Sequence, residues 1–208
     1  TDKHAVVALD ATSGKLLWTF TTGGRIDSPP TYYRGLLLFG AADGWLYCID
    51  AEDGALRWKF LAAPAQLYTV VREQLESVWP LHGSVLLLGN VAYVSAGRNS
   101  YLDGGIWLYG LDPLTGRVVY STRYASRHPK GTEGAVPGTI ERFVQNAVDS
   151  KTLIAPDHSD AFSMGGTRSD VLVSDGYDVY LHQVRFDSSL KLRSAFGRHL
   201  FSTSQLLD

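Results

Sequence analysis

A chain of 208 residues suits one large domain or two small ones, and 45% hydrophobic with 19% charged residues describes a globular protein with a core. A formal net charge of −2, with acids and bases dispersed and no basic block, argues against a nucleic-acid partner. The longest aliphatic run, Val85–Leu88, is far too short to span a membrane, and the single cysteine, Cys48, excludes an internal disulfide or a cysteine-based metal cluster. Between Tyr47 and Ile49, that cysteine reads as a buried strand thiol.

In chain order the sequence repeats itself. Residues 8–18 read ALDATSGKLLW, residues 48–58 read CIDAEDGALRW and residues 110–120 read GLDPLTGRVVY. Asp10, Asp50 and Asp112 start the motif, Gly14, Gly54 and Gly116 follow four residues later, and Trp18, Trp58 and Tyr120 four after that. The chemistry explains the spacing. An apolar strand leads in, the aspartate accepts backbone N–H bonds to start a tight turn, and glycine supplies the positive φ that closes it. The returning strand then presents a large aromatic at a fixed position. Asp50-Ala51-Glu52-Asp53-Gly54 resembles the start of a calcium loop, but the position of the closing carboxylate holds Leu61, so that reading fails.

Residues 5–21 supply the last two strands of a first four-stranded unit. Residues 28–60 supply a complete unit: Ser28–Tyr33, Leu36–Ala42, Trp45–Ile49 and Ala55–Phe60, with a hairpin turn at Asp43-Gly44. An insert follows at 61–83, where Leu67, Val70, Val71 and Leu75 are spaced as one or two helical turns that Trp79-Pro80 would end. The third unit spans 84–124 with strands Ser84–Leu88, Val91–Ala96, Ile106–Asp112 and Arg117–Tyr124. After a second insert at 125–168, the fourth unit (150–196) uses Val171–Ser174, Tyr177–Phe186 and Leu190–Phe196, with an inner strand at Lys151–Ala155. Residues 199–208 could open a fifth. Four antiparallel strands in roughly 40 residues make a propeller blade, so the fold class is all-β, a β-propeller of about four blades.

The elements Ala8, Asp10, Gly14, Lys15 and Trp18 resemble the tryptophan-docking motif of PQQ-type (quinoprotein) propellers. The stretches at 77–85, 96–116 and 169–187 resemble a subgroup of bacterial PQQ-like repeat proteins typified by planctomycetes. The resemblance implies rings of seven or eight blades and a periplasmic or secreted location. With about four blades, the chain reads as a partial or open ring. It would be a fragment of a longer chain or half of a dimeric ring, with the remaining blades or a second copy as partner.

Within a blade, strand alternation puts the loops between second and third strands on the same face as the connections between blades. The long segments 61–83, 97–105 and 125–168 all fall there, so this face is where a protein, glycan or small ligand is expected to bind. Its candidate residues are Trp79, His82, Arg98, Asn99, Tyr101, Asp103, Asp157, His158 and Asp160. Arg98 and Asp103 could line a pocket or pair across their hairpin. His82 could join Asp157 and His158. The insert also holds His128, Glu133 and Glu141, while Ser159 and Ser163 lack the context of a catalytic triad. His4, His182 and His199 read as packing or surface residues.

Two functions follow. One is a noncatalytic scaffold with no cofactor expected and no metal site. The other is a segment of a PQQ- and calcium-dependent dehydrogenase, or a propeller regulating an enzyme domain in a longer chain. The resemblance to those enzymes implies adjacent cysteines near the quinone in many members and a calcium site of Glu, Asn and Asp. One cysteine cannot make the former, and the latter does not map onto this sequence.

Overall fold

The computed structural model describes residues 4–71, 73–100, 103–125, 171–181 and 184–193. Every element among them is a β-strand. Strands β1 (Ala5–Leu9) and β2 (Leu16–Thr21) form a two-stranded sheet. Strands β3 (Thr31–Tyr33), β4 (Leu36–Gly40), β5 (Trp45–Asp50) and β6 (Leu56–Leu61) form the second sheet in sequence order. Strands β7 (Tyr68–Val71) and β8 (Gln74–Ser77) make a separate hairpin. Strands β9 (Leu86–Leu88), β10 (Val91–Ala96), β11 (Ile106–Leu111) and β12 (Val118–Tyr124) form the next four-stranded sheet. The last has β13 (Val173–Ser174), β14 (Val179–Leu181) and β15 (Val184–Phe186). All pairs are antiparallel.

The repeat motif has one geometry three times over. A register shift falls at Ala8/Leu9, Cys48/Ile49 and Gly110/Leu111, just before each aspartate. The aspartate N–H then donates across the turn, from Asp10 to Lys15 O at 2.8 Å, Asp50 to Ala55 O at 2.8 Å and Asp112 to Arg117 O at 2.9 Å. Its carboxylate accepts the N–H two residues on, from Thr12, Glu52 and Leu114. Gly14, Gly54 and Gly116 close the turns at φ 69°, 74° and 71°, a region that costs any residue with a Cβ. Trp18 lies against Gly54 of the next sheet and Trp58 against Gly116 of the one after.

A fourth copy of the turn escapes the sequence pattern. Asp187 N–H donates to Lys191 O at 2.9 Å and its carboxylate accepts from Ser189. The turn is one residue shorter, and Leu190 takes the glycine's place at φ 61°. Tyr93 of the third sheet donates its hydroxyl to Ser188 O at 2.6 Å and fastens the two sheets.

Three apolar clusters join the sheets in series. Phe39, Tyr47 and Ile49 of the second sheet pack on Val6, Trp18 and Phe20 of the first. Leu38, Leu46 and Cys48 pack on Ala92, Val94 and Leu111 of the third, and Tyr93, Ile106 and Leu108 pack on Val179, Leu181 and Phe186 of the fourth. Burial pushes the Cys48 thiol up to about 12, so it stays protonated and acts as a small apolar side chain. The described sheets make an open arc of propeller blades, not a closed ring.

Two sequence expectations are corrected. Leu67, Val70, Val71 and Leu75 do not form helical turns. The β-branched run Thr69-Val70-Val71 favours a strand, Val70 faces Leu75 across the hairpin, and Glu73 turns the chain at φ 64°. Tyr177–Phe186 is not one strand but the hairpin β14–β15. Among the described residues of the last sheet, β13 is the strand that lies beside β9. Lys151–Ala155 falls outside the described residues, as does everything beyond 193.

Candidate functional site

On the face carrying the connections between blades, five polar side chains form one chain of contacts. Arg25 and Asp27 come from the connection between β2 and β3. Glu76 comes from β8, His82 from the segment after it, and Arg98 from the connection between β10 and β11. Arg25 Nε lies 2.5 Å from Asp27 Oδ1, and Arg25 Nη1 lies 2.8 Å from Glu76 Oε1. Arg98 Nη2 lies 2.8 Å from Glu76 Oε2 and donates to Ser77 O at 3.0 Å. His82 Nδ1 is hydrogen-bonded to the other oxygen of Asp27.

Local backbone bonding holds these pieces in place. Ala42 N–H donates to Arg25 O at 2.7 Å and Ser77 N–H to Ala42 O at 2.7 Å, so the turn between β4 and β5 ties down both the first connection and the end of β8. Leu81 N–H reaches Ala41 O at 3.1 Å, and Gly97 N–H reaches Pro80 O at 3.0 Å. Asp43 accepts from Gly23 N–H at 3.0 Å and from the Tyr47 hydroxyl at 2.6 Å. Gly24 passes so close that an added Cβ would sit 2.3 Å from Asp43 N, which is why two glycines stand at 23 and 24.

The electrostatics centre on Glu76, whose side chain is 1% exposed. A carboxylate so buried is tolerable only with its charge matched, and two guanidinium groups from two different connections match it. Burial, the largest single influence on Asp27, pushes its carboxyl up. The hydrogen bonds from Arg25 and His82 outweigh it and hold the group below its ordinary value. The hydrogen bond to Asp27 in turn raises Arg25. A depressed carboxyl contributes stability above its ordinary value of 3.8, and that contribution is lost as pH falls through the lower folded value. Asp27→Asn is therefore expected to flatten the acid limb of stability against pH below 3.8, measured by urea midpoints. An unchanged acid limb would contradict the assignment.

Of the residues expected from sequence, His82 and Arg98 meet here through Asp27, Arg25 and Glu76. Trp79 packs into the core between the second and third sheets and donates Nε1–H to Asp103 O at 2.8 Å. The expected Arg98–Asp103 pair is absent, because Glu76 takes Arg98 and Asp103 contributes its backbone carbonyl from a left-handed turn at φ 54°. Asn99 is half-buried on the same connection. Tyr101, Asp157, His158 and Asp160 lie outside the described residues, as do His128, Glu133 and Glu141.

Arg25, Asp27 and Glu76 were not expected. For Glu76 the signal exists: with 68–77 read at period two, Glu76 falls on the side opposite Leu75 and points inward. For Arg25 and Asp27, in a short connection, no local pattern marks them.

Among the described residues, the donor set on this face does not suit a quinone with calcium. Both arginines already serve Glu76, and stripping them away would strand a buried carboxylate. The Trp79 ring is sequestered in the core, and no group of three metal-ligating side chains stands together among the described residues.

The profile of a family described as outer membrane protein assembly factor BamB matches residues 1–177. A stretch of 53 residues is 36% identical to the outer membrane protein assembly factor BamB of Moranella endobia (strain PCIT), covering 26% of this chain and 14% of that protein. Among solved structures, BamB from Moraxella catarrhalis superposes with a TM-score of 0.52 at 17% identity, over 91% of this chain and 45% of that one. Quinohemoprotein alcohol dehydrogenase from Comamonas testosteroni gives 0.59 at 17% identity, over 91% and 31%. The chain thus spans less than half the length of each of these relatives, and the solved structures speak for the fold alone. With the docking turns, the serial sheets and a family match over most of its length, the chain belongs to the PQQ-like β-propeller family of BamB-type repeat proteins.

Proposed function

We propose that this chain is a noncatalytic propeller scaffold that binds a protein on the face bearing its inserts, in the periplasm or outside the cell. The observation that carries this reading is the β7–β8 hairpin. Its inner side is clamped by Glu76, while its outer side holds Val70 at 72% and Leu75 at 61% exposure, with Leu67 beside them. Large apolar side chains on a rigidly held arm favour association with another protein. The name of the matching family, an assembly factor, agrees with a protein partner.

Further blades, from a longer parent chain or a second copy, are the other proposed partner. Leu9 is 56% exposed on the outer side of the first sheet, whereas its repeat counterpart Ile49 is fully buried under the preceding sheet.

The test has two arms. PQQ with calcium is expected to leave the thermal midpoint unchanged, whereas a cofactor at 100 times its Kd would add about 2.7 kcal/mol of stability. A rise would favour the dehydrogenase segment over the scaffold. In the second arm, envelope extract is passed over the immobilised chain and over a Val70→Asp, Leu75→Asp variant. Proteins retained by the first and lost from the second support the reading. Identical retention sinks it.

A further inference from the structure

The hairpin β7–β8 is a sheet of its own, and its two edges are treated differently. Val78 N–H donates to Leu67 O at 2.9 Å, which continues the hairpin ladder and sets its phase. Bonding residues alternate along an antiparallel pair, so Thr69 and Val71 turn their backbone groups toward β8. Tyr68 and Val70 on β7, and Leu75 and Ser77 on β8, turn theirs outward. The β8 edge is taken up, because Ser77 N–H reaches Ala42 O at 2.7 Å. On β7, no hydrogen bond among the described residues reaches the N–H or C=O of Tyr68 or Val70.

A free edge is a template for another strand, and proteins guard such edges with charge or proline. The outer edges of the two four-stranded sheets carry Lys59 on β6 and Arg123 on β12, and Pro29-Pro30 precede β3 at an inner edge. Strand β1 also has a free edge, at the place where the second and third sheets continue into their inner strands. Strand β7 belongs to no blade and has no guard. Its sequence, Tyr68-Thr69-Val70-Val71, holds neither charge nor proline, and Val70 is 72% and Tyr68 46% exposed.

This edge is complementary to itself. With a two-fold axis at Thr69, Tyr68 of one copy stands opposite Val70 of the other, and each such pair exchanges two N–H to C=O bonds. All the outward groups of Tyr68 and Val70 are then used, and no like charges meet. The two hairpins become one four-stranded sheet on which Tyr68, Val70 and Leu75 of both copies share a face.

We infer that β7 is a dimerisation strand, pairing antiparallel with the β7 of a second copy of this chain. The strip is short, so the dimer is weak, with a Kd of about 50 μM. The pairing uses the backbone edge of the hairpin and the scaffold reading its apolar face, and either can fail without the other.

Sedimentation of the chain is expected to show a dimer at about 500 μM and a monomer at about 5 μM. Register is read by disulfide crosslinking between copies, with Cys48 buried and out of reach. Thr69→Cys places two thiols across the axis at a non-hydrogen-bonded pair, where Cα atoms lie about 4.5 Å apart, and should crosslink readily. Val70→Cys, at the most exposed position of the strand, sets its thiols on a diagonal with Cα atoms about 8 Å apart, and should crosslink about tenfold more slowly. Thr69→Lys opposes two like charges and should weaken the dimer about tenfold, with the fold checked by circular dichroism. A monomer at about 500 μM, crosslinking at Val70→Cys as fast as at Thr69→Cys, or an unaltered dimer in Thr69→Lys overturns the pairing.

Discussion

Glu76→Ala is expected to destabilise the fold by about 3 kcal/mol. Its two carboxylate oxygens each lie 2.8 Å from an arginine nitrogen, and no water-facing surface remains to the side chain beyond 1%. Removing the anion leaves Arg25 and Arg98 facing each other across the space it filled, with side chains only 16% and 24% exposed. Breaking a buried pair from one side costs about 3–5 kcal/mol, and the partial exposure of both arginines places this case at the low end. Replacing the coupled charges together is a different matter. An Arg25→Met, Asp27→Asn, Glu76→Leu, Arg98→Met variant, which leaves no carboxylate of the network without its arginine, removes the desolvation cost along with the attraction and is expected to match the parent or exceed it. Urea unfolding of both variants checks the pair, and Glu76→Ala within about 1 kcal/mol of the parent would refute the account. Faster amide exchange across Tyr68–Ser77 in Glu76→Ala would show that the hairpin is what the clamp holds.

Gly116→Ala is expected to cost about 3 kcal/mol, against about 1 kcal/mol for Gly14→Ala. Both glycines have nearly the same backbone, at φ 71° and 69°, so the conformational penalty is shared. They differ in what a Cβ would meet. At Gly14 there is nothing within 4 Å, whereas at Gly116 the Cβ would lie 2.6 Å from Trp58 Cε3 and 2.7 Å from Cδ2. The indole cannot retreat freely, because its Nε1–H donates to Pro113 O at 3.2 Å and its ring packs against the core between second and third sheets. The difference between the two variants isolates the docking contact from the turn. Equal losses in denaturant unfolding would mean that the tryptophan moves aside and that the contact contributes little.

The repeat was readable because three of its turns keep the same residues at the same spacing, and each residue has a local reason to be there. The fourth turn was missed because Leu190 replaces glycine and the turn is shorter, so neither the residue nor the count signals it. The hairpin at 68–77 was misread as helical because four apolar positions fit a helical stripe as well as a strand pair. The β-branched run and the buried charge on alternate positions decide for the pair. The site was half legible. His82 and Arg98 stand on long connections and could be picked out by type and place. Arg25 and Asp27 reach them through backbone bonds to the β4–β5 turn, a long-range contact that no spacing in the sequence encodes.

The serial clusters have a consequence for how the molecule comes apart. Each described sheet packs on its neighbours in sequence, so free energy is held in joints, as in a one-dimensional chain of coupled units. The second and third sheets are each held by two such joints. A lesion at one joint should therefore divide the cooperative unit without erasing what lies beyond it.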